Sequence, residues 1–191
     1  MSSKISVSAL MLIIFSLSII CCEKSYQDVE EAELASGVRN DSVFLGINLN
    51  MEKKEFFAHC WKLNKQGKVI NGPSNLSVEY RLNHGELRDL AYFRFYPDWD
   101  GKDINKMDFE FGFLNWAPWN KNLEVDSLIL DARNLFQEWY GKNEFMYLED
   151  KESRKVWVKV DGNRRIRLWK ADVRKVQGDI IDLTRVKKTS K

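Results

Sequence analysis

The chain has 191 residues, 44% hydrophobic and 13% aromatic, with three cysteines and a formal net charge of +2. That is about one domain with apolar material for a sizeable core, which excludes a chain too polar to bury one. The near-neutral total hides an asymmetry: residues 23–153 carry 16 basic and 24 acidic side chains, whereas residues 154–191 carry 13 basic and 4 acidic. Such a split marks either an anionic partner for the C-terminal part or two halves that attract each other.

Residues 1–22 have the pattern of a signal peptide. Lys4 supplies a positive start, Ile5 to Ile20 form an apolar run diluted by serines, and Cys21-Cys22 lead directly into Glu23, Lys24 and Ser25. The run is too short and too serine-rich for a membrane span. The ending resembles a bacterial lipoprotein signal, which implies an acylated, palmitate-bearing cysteine. Cys22 fits that role with Ile19 at the aliphatic position; Cys21 fits less well because Ile20 would fill the small position. Anchoring through acyl chains is durable because each buried CH₂ contributes about 0.8 kcal/mol. With Cys22 acylated, Cys60 has no partner and no disulfide framework exists. The implied location is the cell envelope, outer membrane first, with the body facing the periplasm or the cell surface.

Residues 23–41 are polar and acidic and read as a flexible tether, so residues 42–191 form the folded body. Val43 to Ile47 predicts a strand. Asn50 is placed to cap a helix over 51–66 with Phe56, Phe57, Cys60, Trp61 and Leu63 as its stripe, stopped by Gly67. Alternation predicts strands over 76–82, 90–96 and 107–113. Val125, Leu128, Ile129, Ala132, Leu135, Phe136 and Trp139 predict a helix over 124–140, ended by Gly141. Strands follow over 144–148, 155–160, 165–169 and 179–184. The expected fold is α+β, with two helices on one face of an antiparallel sheet. Both halves run helix, then meander, the order that a tandem duplication leaves, though no residue-level repeat accompanies it.

Gly46-Ile47, a polar turn, a helix with paired aromatics and then Gly67 resemble lipoproteins of the SmpA/BamE outer-membrane assembly family and the related β-lactamase-inhibitor-protein-like fold. The whole chain is similar to uncharacterised lipoproteins of the Bacteroidetes type. The resemblance implies a binding or scaffolding role without catalysis and carries no functional residues over.

The segment 155–169 predicts a hairpin around Asp161-Gly162-Asn163. A three-residue loop would pair Val160 with Arg164, Val158 with Ile166 and Val156 with Leu168, keeping the aliphatics on one face. The opposite face would then carry Trp157, Lys159, Arg165, Arg167 and Trp169, a solvated face or an anion platform. Export disfavours nucleic acid as the partner.

Other candidates are the aromatic loops. Trp116-Ala117-Pro118-Trp119, with Trp99 on a separate turn, supplies rings that could stack on a sugar or anchor a partner. The binding set is therefore Trp99, Trp116, Trp119, Trp157, Arg167 and Trp169. His59 and Cys60 are helix neighbours that point about 100° apart, so they form no catalytic pair. No metal site, cofactor motif or nucleotide loop is expected. The favoured function is an envelope binding or scaffold module for a protein or glycan. The alternative from another class is a glycan or peptidoglycan hydrolase using Asp98, Asp100 or Asp103; a third reading is a soluble secreted inhibitor.

Overall fold

The computed structural model describes residues 24–186. The leader and both candidate acylation sites, Cys21 and Cys22, lie outside the described residues.

The segment expected to be a tether holds a helix, α1 (Tyr26–Ala35). Its start has a local cause. Ser25 and Asp28 form a capping box, each side chain accepting the other's backbone N–H. Next come β1 (Ser42–Phe44) and β2 (Ile47–Asn48). The single strand expected here is a hairpin, because Leu45 (φ 47°) and Gly46 (φ 82°) both take positive φ, as a type I′ turn requires. Helix α2 (Lys53–Lys65) follows, with Glu52 at its N-cap and no side-chain cap bond. Asn50, expected as the cap, instead turns the chain at φ 68° and accepts a hydrogen bond from Arg185.

The body continues as β3 (Ile70–Asn71), β4 (Val78–Leu82), β5 (Ala91–Asp100), β6 (Asp103–Phe113), α3 (Val125–Tyr140), β7 (Met146–Glu149), β8 (Lys155–Asp161), β9 (Arg164–Lys170) and β10 (Lys175–Asp182). Strands β3 to β10 form one antiparallel eight-stranded sheet in the order β3-β4-β5-β6-β10-β9-β8-β7. The α+β class is as expected, with three α-helices among the described residues rather than two. Each of α2 and α3 precedes a four-stranded meander, and the last strands of the two meanders, β6 and β10, pair with each other.

Directly opposed residues share a face. One face carries Phe93, Phe95, Met107, Phe109, Phe111, Ile166, Leu168, Val176 and Ile180, all buried. Phe56 and Cys60 of α2 and Val125, Leu128, Ile129, Ala132, Leu135 and Phe136 of α3 pack onto it. Phe136 is central: its ring lies 5.1 Å from Phe109 and 5.5 Å from Phe111, both edge to face. A β-bulge opposite Asp98 and Trp99 leaves Asn105 of β6 unpaired and so turns Ile104 onto this face, where alternation already places Trp99.

The 155–169 hairpin corrects the expected register. The loop has two residues, so Val160 opposes Arg165, Val158 opposes Arg167, Trp157 opposes Leu168 and Lys159 opposes Ile166. The expectation assumed one buried face. Both are buried: Ile166 and Leu168 enter the main core, while Val156, Val158 and Val160 join Ile181 and Leu183 on the other side against Tyr26, Val29 and Leu34 of α1. Lys159 is not a surface cation but wholly buried, donating to the carbonyls of Gly141 and Asn143 beyond the end of α3, with Asp161 3.3 Å away. Burial pulls its pKa below the ordinary value, and Asp161 opposes that shift.

A clasp of polar groups fixes α1 and the segment after it to this hairpin. Glu33 accepts from Gly162 N (2.6 Å) and Asn143 Nδ2 (2.7 Å). Asn40 donates from its backbone N to Asn163 Oδ1 (2.6 Å) and from Nδ2 to the Asp161 carbonyl (2.9 Å). Arg164 donates to the Ser42 carbonyl, and Arg39 reaches the buried Asp182. Gly162 needs to be glycine twice over: its φ is 59°, and a Cβ there would overlap the Val38 carbonyl.

Two outcomes follow from the clasp. Gly162→Ala lowers the unfolding free energy by about 2–3 kcal/mol in urea titration; a loss under about 0.5 kcal/mol would show that the clasp contributes little. The second concerns pH. The Gly162 and Asn143 bonds hold Glu33 below its ordinary value of 4.5. Burial alone would raise Asp182, but bonds from Thr184, Arg39 and Asn163 hold it below 3.8. Both groups stabilise the fold above their unfolded pKa values, and that contribution disappears as pH falls through the lower folded values. The urea midpoint therefore drops below about pH 4.5, and Glu33→Gln makes the drop shallower; an unchanged acid limb in that variant contradicts the assignment.

Candidate functional site

Among the described residues no helix lies over the sheet's second face across β4, β5 and β6; α1 packs toward the other end of that face, against β8 and, through Tyr26 and Glu30, against Arg165 of β9. Strand alternation puts Glu79 and Arg81 of β4, Tyr92, Arg94 and Tyr96 of β5, Lys106, Asp108 and Glu110 of β6, Lys175, Gln177 and Asp179 of β10, and Arg165, Arg167 and Trp169 of β9 on this side. The same alternation that commits Phe93 and Phe95 to the core commits Tyr92, Arg94 and Tyr96 to the open side.

The charges on this face form a ladder across four strands. Glu79, 2% exposed, accepts from Arg94 Nε at 2.6 Å and lies 2.6 Å from Arg81 Nη2. Arg94 continues to Glu110 at 3.4 Å, and Glu110 reaches Lys175 at 3.2 Å. Arg94 also lies over the Tyr92 ring, 3.7 Å from its centre. Burial pushes the Tyr92 hydroxyl pKa up, so it stays protonated and donates to Glu110 at 3.1 Å. On the next strands Arg167 forks onto Asp179, which is 1% exposed. Arg94, Tyr96, Asp108, Glu110, Trp169 and Gln177 line a shallow recess of about 320 Å³ at the centre of the face.

Of the residues singled out from sequence, Arg167 and Trp169 lie on this side of the sheet, Trp169 packed against the cluster beneath α1, and Arg167 and Arg154 flank the Trp169 ring at 5.7 and 4.9 Å. Trp157 is on the opposite, helix-covered side, stacked on Tyr147 and beneath Arg133 of α3. Trp99 also faces the helices, packed edge to face on Phe56 at 5.6 Å. Trp116 and Trp119 sit at the end of the sheet beyond β6; Trp116 is half-buried and Trp119 is 84% exposed. The set is thus divided among three places. Sequence reading missed Glu79, Arg94, Tyr96 and Glu110, whose signal was alternation with the buried phenylalanines.

The carboxylates of the hydrolase reading lie at the β5–β6 turn. Asp100 and Asp103 oppose each other across it, Asp100 meets Arg185 at 3.3 Å, and Asp98 is exposed and bonds its neighbour's backbone N. Asp100 lines a cleft of about 420 Å³ with Asp179 and Asp182, but each of the three is ion-paired there, with Arg185, Arg167 and Arg39 respectively. Cys60 is buried, which pushes its thiol up to about 12, and His59 Nε2 is 2.7 Å from the Leu45 carbonyl, away from it. Among the described residues no cluster of His, Cys, Asp and Glu is arranged to hold a metal ion. The arrangement offers fixed charges and rings for non-covalent contact. No family model, curated protein or solved structure matches the chain.

Iodide quenching of tryptophan emission separates the wet ring from the packed ones. Trp119→Phe should remove a larger share of the quenchable emission than Trp99→Phe or Trp157→Phe. Equal losses from all three variants would contradict an exposed Trp119 beside two packed rings.

Proposed function

We propose that this chain is a cell-envelope lipoprotein, anchored through Cys22, whose open β-face is a non-covalent platform for a protein partner. The observation that carries the reading is the ladder Arg81–Glu79–Arg94–Glu110–Lys175 on a sheet face that no helix of the described residues covers over β4 to β6. Ion pairs already made within the face hold its side chains in place, so binding costs less ordering entropy. Alternating charge favours selection of a complementary partner more than raw affinity.

A protein is favoured over a glycan because two of the three rings on this face, Tyr92 and Trp169, are engaged by arginines, which leaves only Tyr96, 37% exposed, for stacking. Sugar stacking needs a bare aromatic face, whereas Arg94 covers Tyr92, and Arg154 and Arg167 flank Trp169. The hydrolase reading is disfavoured because arginines pair all three carboxylates of the cleft that Asp100 shares with Asp179 and Asp182, which leaves no free acid–base pair there. The leader pattern supports the anchor, and no helix among the described residues is long and apolar enough to cross a membrane.

A photocrosslinking residue at Gln177 should capture a discrete protein in intact cells, while the same residue at exposed Asn134 on α3 should not. Arg94→Glu should reduce the Gln177 adduct several-fold. Equal capture at both sites, or capture indifferent to Arg94→Glu, would remove the open face from the proposal. Fatty-acid labelling of Cys22→Ala tests the anchor separately: label retained at wild-type level contradicts it.

A further inference from the structure

The two ends of the sheet differ in character. At one end lie the tight turns Gly101-Lys102 and Gly162-Asn163. At the other end three connections meet: β4–β5 (83–90), β6–α3 (114–124) and β9–β10 (171–174). They are braced to each other and to α3. Leu114 N donates to the Leu90 carbonyl at 2.9 Å, and Asn115 Nδ2 donates to Asp89 at 2.9 Å. Arg88 forks onto Asp131 of α3 at 2.7 and 2.8 Å. The Arg174 guanidinium lies 5.2 Å from the Trp116 ring centre, which ties the β9–β10 turn to the Trp116–Trp119 loop. On this braced tip Trp119 is 84% exposed, Val173 66%, Leu114 40% and Leu90 38%. Large apolar side chains held out on rigid loops mark a contact surface.

The same end of the sheet is where the described chain begins. Tyr26 and Gln27, the first turn of α1, line a groove with Asp150, Lys151 and Glu152 of the β7–β8 turn. That turn lies at the tip's end of the sheet, because Lys155 pairs with Glu149 there and Val156 pairs with Trp169 next to the β9–β10 turn. Cys22 precedes the N-cap Ser25 by three residues, at most about 11 Å of chain. Strand β8, beneath α1, is three strands from β6, about 14 Å across the sheet. A lipid chain on Cys22 would therefore enter the same plane that the tip faces.

We propose that this tip, led by Trp119 with Val173, Leu114 and Leu90, dips into the bilayer interface. The protein then meets the membrane at two points, the acylated Cys22 and the tip. This rests on the Cys22 anchor proposed above. The occupant is a lipid surface because of the tip's chemistry and its position. An indole with an apolar body and one N–H suits the headgroup boundary, and Arg174 beside Trp116 forms no ion pair among the described residues and can meet lipid phosphate. Strands that end at the tip then rise from the membrane, and the open β-face looks sideways along it.

The test uses the full-length lipidated protein in phosphatidylcholine vesicles with or without bromine on the acyl chains, since bromine quenches only rings that enter the bilayer. Brominated vesicles should lower tryptophan emission, and Trp119→Phe should remove at least half of that loss. Val173→Asp should reduce the quenching at least twofold while circular dichroism stays unchanged. If Trp119→Phe leaves the quenched fraction unchanged while the protein remains on the vesicles, the tip proposal is overturned and the anchor stands. If Cys22→Ala still takes up fatty-acid label at wild-type level, the anchor reading falls and the two-point arrangement falls with it.

Discussion

The pairing of β6 with β10 is the constraint on which the rest of the molecule depends. Seven cross-strand partners, from Lys175–Gly112 to Ile181–Lys106, join two four-stranded meanders into one sheet. Without that seam each meander would expose a free central edge and half an apolar face. With it, Met107, Phe109 and Phe111 of one half and Val176 and Ile180 of the other make one continuous surface for α2 and α3. Gly178 serves the seam: a Cβ there would strike the Phe109 ring and the Arg167 carbonyl, so only hydrogen lets that ring lie flat across the junction. The charge ladder of the open face crosses the same seam at Glu110–Lys175.

The charge asymmetry of the sequence has a physical account in this arrangement. Acids of the first part meet bases of the last part at Glu30–Arg165, Asp126–Lys170, Glu110–Lys175 and Asp100–Arg185. These pairs are partly exposed, and each contributes at most about 1 kcal/mol. They orient the halves more than they hold them together. The buried pair is different. Lys159 and Asp161 are wholly buried, and Arg164 also pairs with Asp161 at 3.4 Å, so removing Asp161 would leave two buried cations without their carboxylate. Such a pair specifies one packing of the 140–164 region rather than adding net stability.

How much of this was legible in the sequence depends on how each element is stabilised. Helix α3 was readable almost to the residue, because six buried apolar positions at helical spacing and Gly141 at φ 58° are local signals. Strands β5 and β6 were readable for the same reason. Helix α1 was not: none of its residues is fully buried, and its polar side chains are held by Gly162 and Asn143, more than a hundred positions away. Only the Ser25–Asp28 box announced it. The 155–169 register failed because parity arguments need one wet face, and α1 had dried the second. The open face was hidden because charged residues at alternate strand positions read as ordinary solvated surface until the partners across four strands are known.

The docking of α1 also bears on where the proposed partner could be met. A free tether of nineteen residues would let the body wander tens of ångströms from its anchor. With the anchor at Cys22 proposed above, a helix bonded to the β8–β9 hairpin would leave three residues between that anchor and Ser25, so the body's distance and tilt would be set by its own shape. In the proposed arrangement the open face then occupies a layer about as deep as β6 is long, roughly 35 Å, directly above the lipid. A partner would be met beside the membrane rather than out in solution. The ladder, whose members sit near the middle of their strands, would stand clear of the headgroups, where ion pairs such as Arg94–Glu79 are free of competing lipid phosphate.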